Sequence, residues 1–178
     1  MALTLNATAA DASANAYLTV ASAVAYFEGR FDATNFTSCT STTSQSMALV
    51  MATTRLDQER FYGVPTYSTQ ALQWPRSGVL DPRFAEGTAF DPGWGLCYDG
   101  DTIPTPIKNA TCELALALLQ DVTLLRDSGL EGYDEVSVGG VVVKPFKGHK
   151  AGDLPYAAQR ELRGLRSQSP GSKEIVRG

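Results

Sequence analysis

One apolar stretch constrains the fold more than any other part of this 178-residue sequence. Residues 105–127 carry apolar side chains at helical spacing, with Pro106 in the first turn and Gly129 just past the end. Leu114 and Leu118 are expected at the centre of its apolar stripe, and further leucines widen that stripe beyond one face. A helix of this kind has to be buried on more than one side, which predicts a helical bundle.

Two shorter helices are predicted before it. The first lies within residues 15–30, with Thr19 as its N-cap and Phe27 on its apolar face. The second covers roughly residues 43–62 and is expected to turn one apolar stripe toward the core. The core residues predicted for that stripe are Met47, Val50 and Met51.

Residues 64–106 are rich in glycine and proline and have little periodicity, which predicts a long irregular connector. Its Trp74-Pro75-Arg76 run could be a catalytic loop, a nucleic-acid contact or a structural anchor. We favour the anchor: Trp74 packs against the helices around Met51 and Leu114, Pro75 fixes the turn, and Arg76 makes a fixed polar contact.

The C-terminal part predicts a different kind of structure. Two valine-rich runs flank Gly139-Gly140, which is typical of a β-hairpin, and residues 154–166 can form a short helix. The expected fold is therefore mainly α: a small helical bundle with a long irregular connector, a C-terminal β-hairpin and an extended terminal arm. Residues 1–130 form the helical core in this division, and residues 131–178 form the hairpin and arm.

Charge is unevenly distributed along the chain. The net charge is −4, yet residues 144–178 hold eight basic and three acidic residues, a net charge of +5. A basic arm on an acidic body fits either a docking segment for a negative surface or a solvated C-terminus, and charge alone does not decide between them. The basic residues assigned to this arm are Lys144, Lys147, Lys150, Arg160, Arg163 and Arg166.

Catalytic and cofactor chemistry find little support. His149 is the single histidine, so a hydrolase would depend on that one position, and no phosphate-binding glycine motif is present. Asp91, Asp99 and Asp101 lie close in sequence but lack calcium-loop spacing. We expect no enzyme activity, no cofactor and no metal, and no apolar run is long enough for a membrane partner.

Nucleic-acid binding stays open as an alternative. Trp74, Arg76 and Arg83 interleave aromatic and cationic side chains, as single-strand binders do, but the negative net charge weighs against this interpretation.

Four segments in order, ANAYLTVASAVAYFEGR, ALVMATTRLD, ALQWPRSGV and IPTPIKNATCELAL, resemble the head–tail adaptor (connector) proteins of tailed bacteriophages. The label "DnaT-like single-stranded DNA-binding" is also in use for such proteins. The resemblance covers roughly residues 14–120.

The resemblance implies a structural adaptor core and a homo-oligomeric ring, usually of twelve subunits, beneath the portal protein. Such a ring docks a tail or stopper protein, extends the channel through which genomic DNA passes without specific binding, and has no catalytic activity. Its location would be the neck of a virion made in the bacterial cytoplasm. The basic arm would then dock on the portal. The alternative function is a single-stranded DNA-binding module.

Overall fold

The computed structural model describes residues 3–31, 33–39, 41–81, 97–121, 124, 136–138, 141–143 and 154–167. Five helices occur within these ranges: α1 (Val20–Phe27), α2 (Thr34–Thr37), α3 (Thr42–Leu56), α4 (Thr105–Gln120) and α5 (Tyr156–Glu161). Two antiparallel strand pairs accompany them: β1 (Val64–Pro65) with β2 (Arg76–Ser77), and β3 (Val136–Val138) with β4 (Val141–Val143). The fold is mainly helical with a small hairpin, which confirms the fold class expected from the sequence.

Helix α4 is the centre of the bundle. It packs most extensively against α3 and α5, and it also contacts α1 and α2. Apolar side chains on several sides of α4 are buried, including Ile107, Leu114 and Leu118. This agrees with the breadth of its apolar stripe, since a helix enclosed by neighbours has no wide polar face.

Local sequence signals explain where the helices begin. Thr19 Oγ1 accepts a hydrogen bond from the Ser22 N–H (3.2 Å) at the start of α1, as predicted for an N-cap. Ser41 caps α3 in the same way, accepting from the Ser44 N–H at 3.3 Å. Helix α3 ends at Leu56 rather than near residue 62, because the chain turns after Asp57 toward the bridge at Phe61.

The buried face of α3 differs from the predicted stripe. Met47 and Met51 are exposed, at 51% and 47% of their full accessible surface, and Val50 is only half-buried, so their prediction as core residues is wrong. The buried positions of α3 include two alanines and a threonine beside two leucines and a glutamine. They are Gln45, Ala48, Leu49, Ala52, Thr53 and Leu56.

The C-terminal segment belongs to the same core as the N-terminal helices. Leu154, Ala158, Leu162 and Leu165 are buried in one apolar cluster together with Phe27, Leu114 and the other helical residues. Residues 154–167 are therefore packed into the helical core. This corrects their assignment to an extended arm. The boundary at residue 130 lies outside the described residues, as do Lys144, Lys147 and Lys150.

The hairpin predicted around Gly139-Gly140 is present. Val136 pairs with Val143 and Val138 with Val141, in the register expected for two valine runs flanking a tight turn. None of the helices in the described ranges is long and apolar enough to cross a lipid bilayer.

Burial of α5 predicts a large stability difference between two single substitutions. Leu162→Ala removes a fully buried side chain between α5 and α4, and should lower the free energy of unfolding by about 2–5 kcal/mol. Met51→Ala removes an exposed side chain of similar size and should cost about 0.5 kcal/mol or less. Urea denaturation followed by circular dichroism measures both. Equal, small effects would contradict the placement of α5 in the core.

Candidate nucleic-acid interface

Arg76 is a buried cation that binds the backbone of a neighbouring segment. Only 7% of its surface is exposed. Its Nε donates to the Tyr62 carbonyl oxygen (2.8 Å), and its Nη2 donates to the carbonyls of Gly63 (2.7 Å) and Phe61 (3.5 Å). Nη1 donates to Gln73 Oε1 at 2.6 Å. The guanidinium thus fixes the path of residues 61–63, and burial lowers the pKa of this arginine.

We call the hydrogen bonds from Arg76 to residues 61–63 the Arg76 clamp. Trp74 lies beside it. It is 1% exposed and meets the ring of Phe61 edge to face, with 5.5 Å between the ring centroids. Its place in the core fits the anchor interpretation, but the exposed Met51 is not the partner that the sequence suggested. Pro75 is also buried, and its peptide bond with Trp74 is cis. The Trp74 indole N–H has no acceptor within the described part of the chain.

A second polar group secures the other side of this turn. Asp57, at the end of α3, accepts hydrogen bonds from the Tyr17 hydroxyl and from the Gln73 N–H, the latter at 3.2 Å. Burial raises the pKa of the Asp57 carboxyl and is also the main cause of the raised pKa of Tyr17. Asp57 thus ties Gln73 of the connector to the end of α3, next to the contacts that Gln73 makes with Arg76.

Gly63 is required where the clamp meets β2. Its φ is +70°, and a Cβ atom there would lie 2.2 Å from the Ser77 carbonyl oxygen. No side chain fits at that distance, so glycine is the residue that permits the close approach.

The clamped segment pairs with the end of the described chain. The Tyr62 N–H donates to the Leu165 carbonyl (3.1 Å), the Ser167 N–H donates to the Arg60 carbonyl (2.8 Å), and Phe61 and Arg166 form an antiparallel bridge. Because side chains alternate along an extended segment, Phe61 points inward while Arg60 and Tyr62 are exposed.

Four exposed side chains lie on the two paired segments and form what we call the arginine seam: Arg60, Tyr62, Arg163 and Arg166. Arg166 is directly opposite Phe61 in the bridge, so its side chain leaves the pairing on the Phe61 side, whereas Arg60 and Tyr62 leave it on the other side. All four are exposed, and 48% of the surface of Tyr62 is accessible. Arg60 and Arg163 make no ion pair with any residue in the described ranges. Tyr156 and Arg160 of α5, which precedes Arg163 in the chain, are exposed as well.

One carboxylate lies within the seam. Glu59 accepts from Arg55 Nη1 through Oε1 (2.7 Å) and from Arg166 through Oε2, and its side chain is only 11% exposed. Arg55 and Glu59 are four residues apart, the spacing that brings two side chains together on a helical turn.

The described residues outside 55–62 and 154–167 carry a net negative charge, whereas those two segments carry a net positive one. Residues 55–62 and 154–167 hold five of the eight described lysines and arginines, with three acidic residues; the rest of the described chain holds three basic and seven acidic residues. Tyr67, also exposed, donates to Asp101 (2.6 Å) in an acidic setting. The hydrogen bond to this carboxylate raises the pKa of Tyr67.

The other polar groups of the core are internal connections. Glu113 of α4 accepts from the Tyr26 hydroxyl (2.6 Å) and from Arg30, which joins α1 to α4. Burial raises the pKa of the Cys112 thiol to about 12, while Cys97 is exposed. Within the described ranges no three His, Cys, Asp or Glu residues are placed to hold a metal ion, and His149 and Asp91 lie outside those ranges.

The site predicted from the sequence is therefore divided. Three of its residues are buried: Trp74, Pro75 and Arg76. Two others, Arg163 and Arg166, were assigned to a docking arm and belong to the exposed arginine seam. Arg160 is exposed on α5. Sequence inspection missed Arg60 and Tyr62, whose exposed alternation about an inward-pointing Phe61 was the available signal.

Removal of the Arg76 clamp should cost a large part of the stability. Arg76→Met leaves three carbonyls without their cationic donor and should reduce the free energy of unfolding by about 3 kcal/mol, the upper end for hydrogen bonds to a charged group. Arg160→Met replaces an exposed arginine and should leave the free energy of unfolding nearly unchanged. Chemical denaturation of both variants checks this. A clamp variant as stable as the control would show that Arg76 does not organise the turn.

Comparison with known proteins gives one match. The family model described as "Putative DnaT-like ssDNA binding protein" matches residues 1–178. No curated protein and no solved structure matches significantly.

This match corrects the functional interpretation of the sequence. The family model that matches the whole chain carries a description as an ssDNA-binding protein, and nothing found supports the head–tail adaptor family, so the adaptor function inferred from the resemblance is wrong. The ring, the portal and stopper partners and the virion location rested on that resemblance alone and stay untested predictions.

Proposed function

The chain belongs to this DnaT-like ssDNA-binding family, and on that premise we propose that it binds single-stranded DNA through the arginine seam. The observation that carries the proposal is an exposed tyrosine between arginines on a rigid backbone pairing. The proposal describes a binding protein and not an enzyme.

The chemistry of the seam suits an unpaired strand. The exposed ring of Tyr62 offers a face on which one base can stack, and such stacking is worth about 1–3 kcal/mol per base in single-strand binders. Arg60 and Arg163 carry guanidinium groups that can bind phosphate oxygens in two-pronged fashion. Every base has a π-face, so we expect recognition with little dependence on base sequence.

The negative net charge, which weighed against this function at the sequence level, is compatible with it. Association with a polyanion depends on the local potential at the contact surface. Basic residues are concentrated in residues 55–62 and 154–167, while acidic residues prevail over the remaining described ranges. This separation directs a strand to the seam and away from the acidic surface around Asp99 and Asp101.

Single strands should be preferred over duplex. A base can stack on Tyr62 only when it is out of its own duplex stack, and extruding a paired base costs a few kcal/mol. The seam is also formed by a short strand-like bridge and the six-residue α5, not by a long basic helix of the kind that enters a major groove.

Two tyrosines of similar exposure provide a matched test. Tyr62→Ala removes the stacking ring and should weaken binding of a fluorescein-labelled oligothymidine about fivefold to a hundredfold, the equivalent of about 1–3 kcal/mol. Tyr67→Ala removes a ring of similar exposure beside Asp101 and should leave affinity unchanged. Fluorescence anisotropy at low salt measures both affinities.

The outcomes of this comparison separate the proposals. Equal affinities for the two variants would remove the seam as the binding surface. Failure of the unmodified protein to bind the oligonucleotide at low salt would remove the function itself.

Salt dependence tests the arginines. A cation that neutralises one phosphate of a single strand contributes about −0.7 to the slope of log K against log salt concentration. Arg60→Gln and Arg163→Gln should each reduce the magnitude of the slope by about that amount. Lys108→Gln, at a half-buried position beside the cleft that Asp101 also lines, should not change it. An unchanged slope for both arginine variants would contradict phosphate contact at the seam.

A further inference from the structure

We propose that Glu59 is a positioning residue of the arginine seam: it holds the Arg166 guanidinium where that group can bind a DNA phosphate. The inference rests on the proposed function and adds an acidic residue that strengthens binding of an acidic ligand. The steps follow from the two ion pairs of Glu59 and from its burial.

Glu59 is fixed from both sides. Each of its carboxylate oxygens accepts from a different arginine, Oε1 from Arg55 and Oε2 from Arg166. Arg55 is one turn earlier on the same helical path and is itself only 17% exposed, so the carboxylate cannot easily rotate away. A carboxylate held in this way is a fixed point for the second arginine.

The ion pair with Glu59 occupies only part of the hydrogen-bonding capacity of Arg166. Arg166 is 41% exposed, and its Nη2 donates to the Glu59 carboxylate. A guanidinium has five N–H donors in a planar fork, so donors remain for a phosphate that approaches from solvent. Glu59 is 11% exposed, against 41% for Arg166, so a ligand approaching from solvent has more access to the guanidinium than to the carboxylate.

The ordering of Arg166 before DNA binds matters for affinity, because immobilising a side chain costs conformational entropy. A free arginine side chain loses about 2 kcal/mol of rotamer entropy when a ligand immobilises it. Arg166 is already ordered by Glu59 and by the bridge of its backbone to Phe61, so much of that loss precedes binding. The same ion pair compensates the charge of Glu59, which limits its repulsion of the strand.

The decisive experiment uses a substitution whose two possible effects have opposite signs. Glu59→Gln removes a negative charge from the seam, which on charge alone should strengthen binding of oligothymidine. If Glu59 positions Arg166, the variant should instead bind about threefold to tenfold more weakly. Affinity equal to or tighter than that of the unmodified protein would overturn the proposal.

Glu161→Gln is the matched control. Glu161 is an acid of the same region, paired with the exposed Arg160 (3.4 Å) and with Asn109, and it makes no contact with Arg166 within the described chain. The substitution makes the same change in charge and size as Glu59→Gln, so the affinity of this variant for oligothymidine should stay equal or rise slightly. Equal weakening of both variants would mean a general effect of lost acids and would also overturn the proposal.

A double-mutant cycle then tests whether Glu59 acts through Arg166. In an Arg166→Ala background, Glu59→Gln should cause no further loss of affinity, because the group it positions is gone. A loss as large as in the unmodified background would show that Glu59 acts by another route.

A second pair of variants leaves Glu59 intact and changes exposed side chains only. Arg166→Lys keeps the charge but loses the fork that serves carboxylate and phosphate together, so affinity should fall about threefold to tenfold. Arg163→Lys loses only the two-pronged phosphate contact, because this arginine has no carboxylate to share within the described ranges, so its affinity should fall by a smaller factor than that of Arg166→Lys. Equal losses would refute the positioning role, and absent binding by the unmodified protein would instead refute the proposed function.

Discussion

The hydrogen bonds from the buried Arg76 guanidinium to the backbone carbonyls of residues 61–63 are the constraint on which the proposed DNA-binding surface depends. A buried guanidinium needs acceptors for its donors, and here the acceptors are carbonyls of a chain segment that has just left α3. The cation therefore determines where that segment runs. Trp74 and Phe61 fill the apolar space beside it.

The position of residues 61–63 in turn creates the docking edge for the C-terminal segment. The carbonyl of Arg60 and the N–H of Tyr62 pair with Ser167 and Leu165, and Leu162 and Leu165 bury their side chains in the common core. Two distant parts of the sequence thus meet at a short antiparallel bridge. The arginines that each part exposes become neighbours only through this pairing, which links the buried clamp to the charge of the surface.

Much of the fold could be predicted from the sequence because its signals are local. The N-cap at Thr19, the proline at the start of α4 and the paired glycines between valine runs each act over a few residues. The inward face of α3 could not be predicted by hydrophobicity alone. Small residues such as Ala48 and Ala52 lie against α4, and the larger Met47 and Met51 are left outside.

The candidate site was harder to predict, since it depends on contacts between residues about one hundred positions apart. Trp74 and Arg76 were assigned a fixed structural role by their chemistry and both are buried, but neither belongs to the exposed arginine seam. Net charge was misleading for the same reason. It sums over the whole chain, whereas within the described ranges residues 55–62 and 154–167 hold five basic and three acidic residues and the remainder holds three basic and seven acidic ones.

Photochemical crosslinking gives the most direct test of the central claim that single-stranded DNA lies on the arginine seam. An oligonucleotide containing 5-iodouracil, irradiated in complex with the unmodified protein, should form its main crosslink with Tyr62, identified by mass spectrometry of the tryptic peptides. A crosslink to Tyr156 in addition would fit a strand that continues along α5. Crosslinks confined to Tyr67 and the acidic surface around Asp101, or to residues outside the seam and α5, would contradict the account.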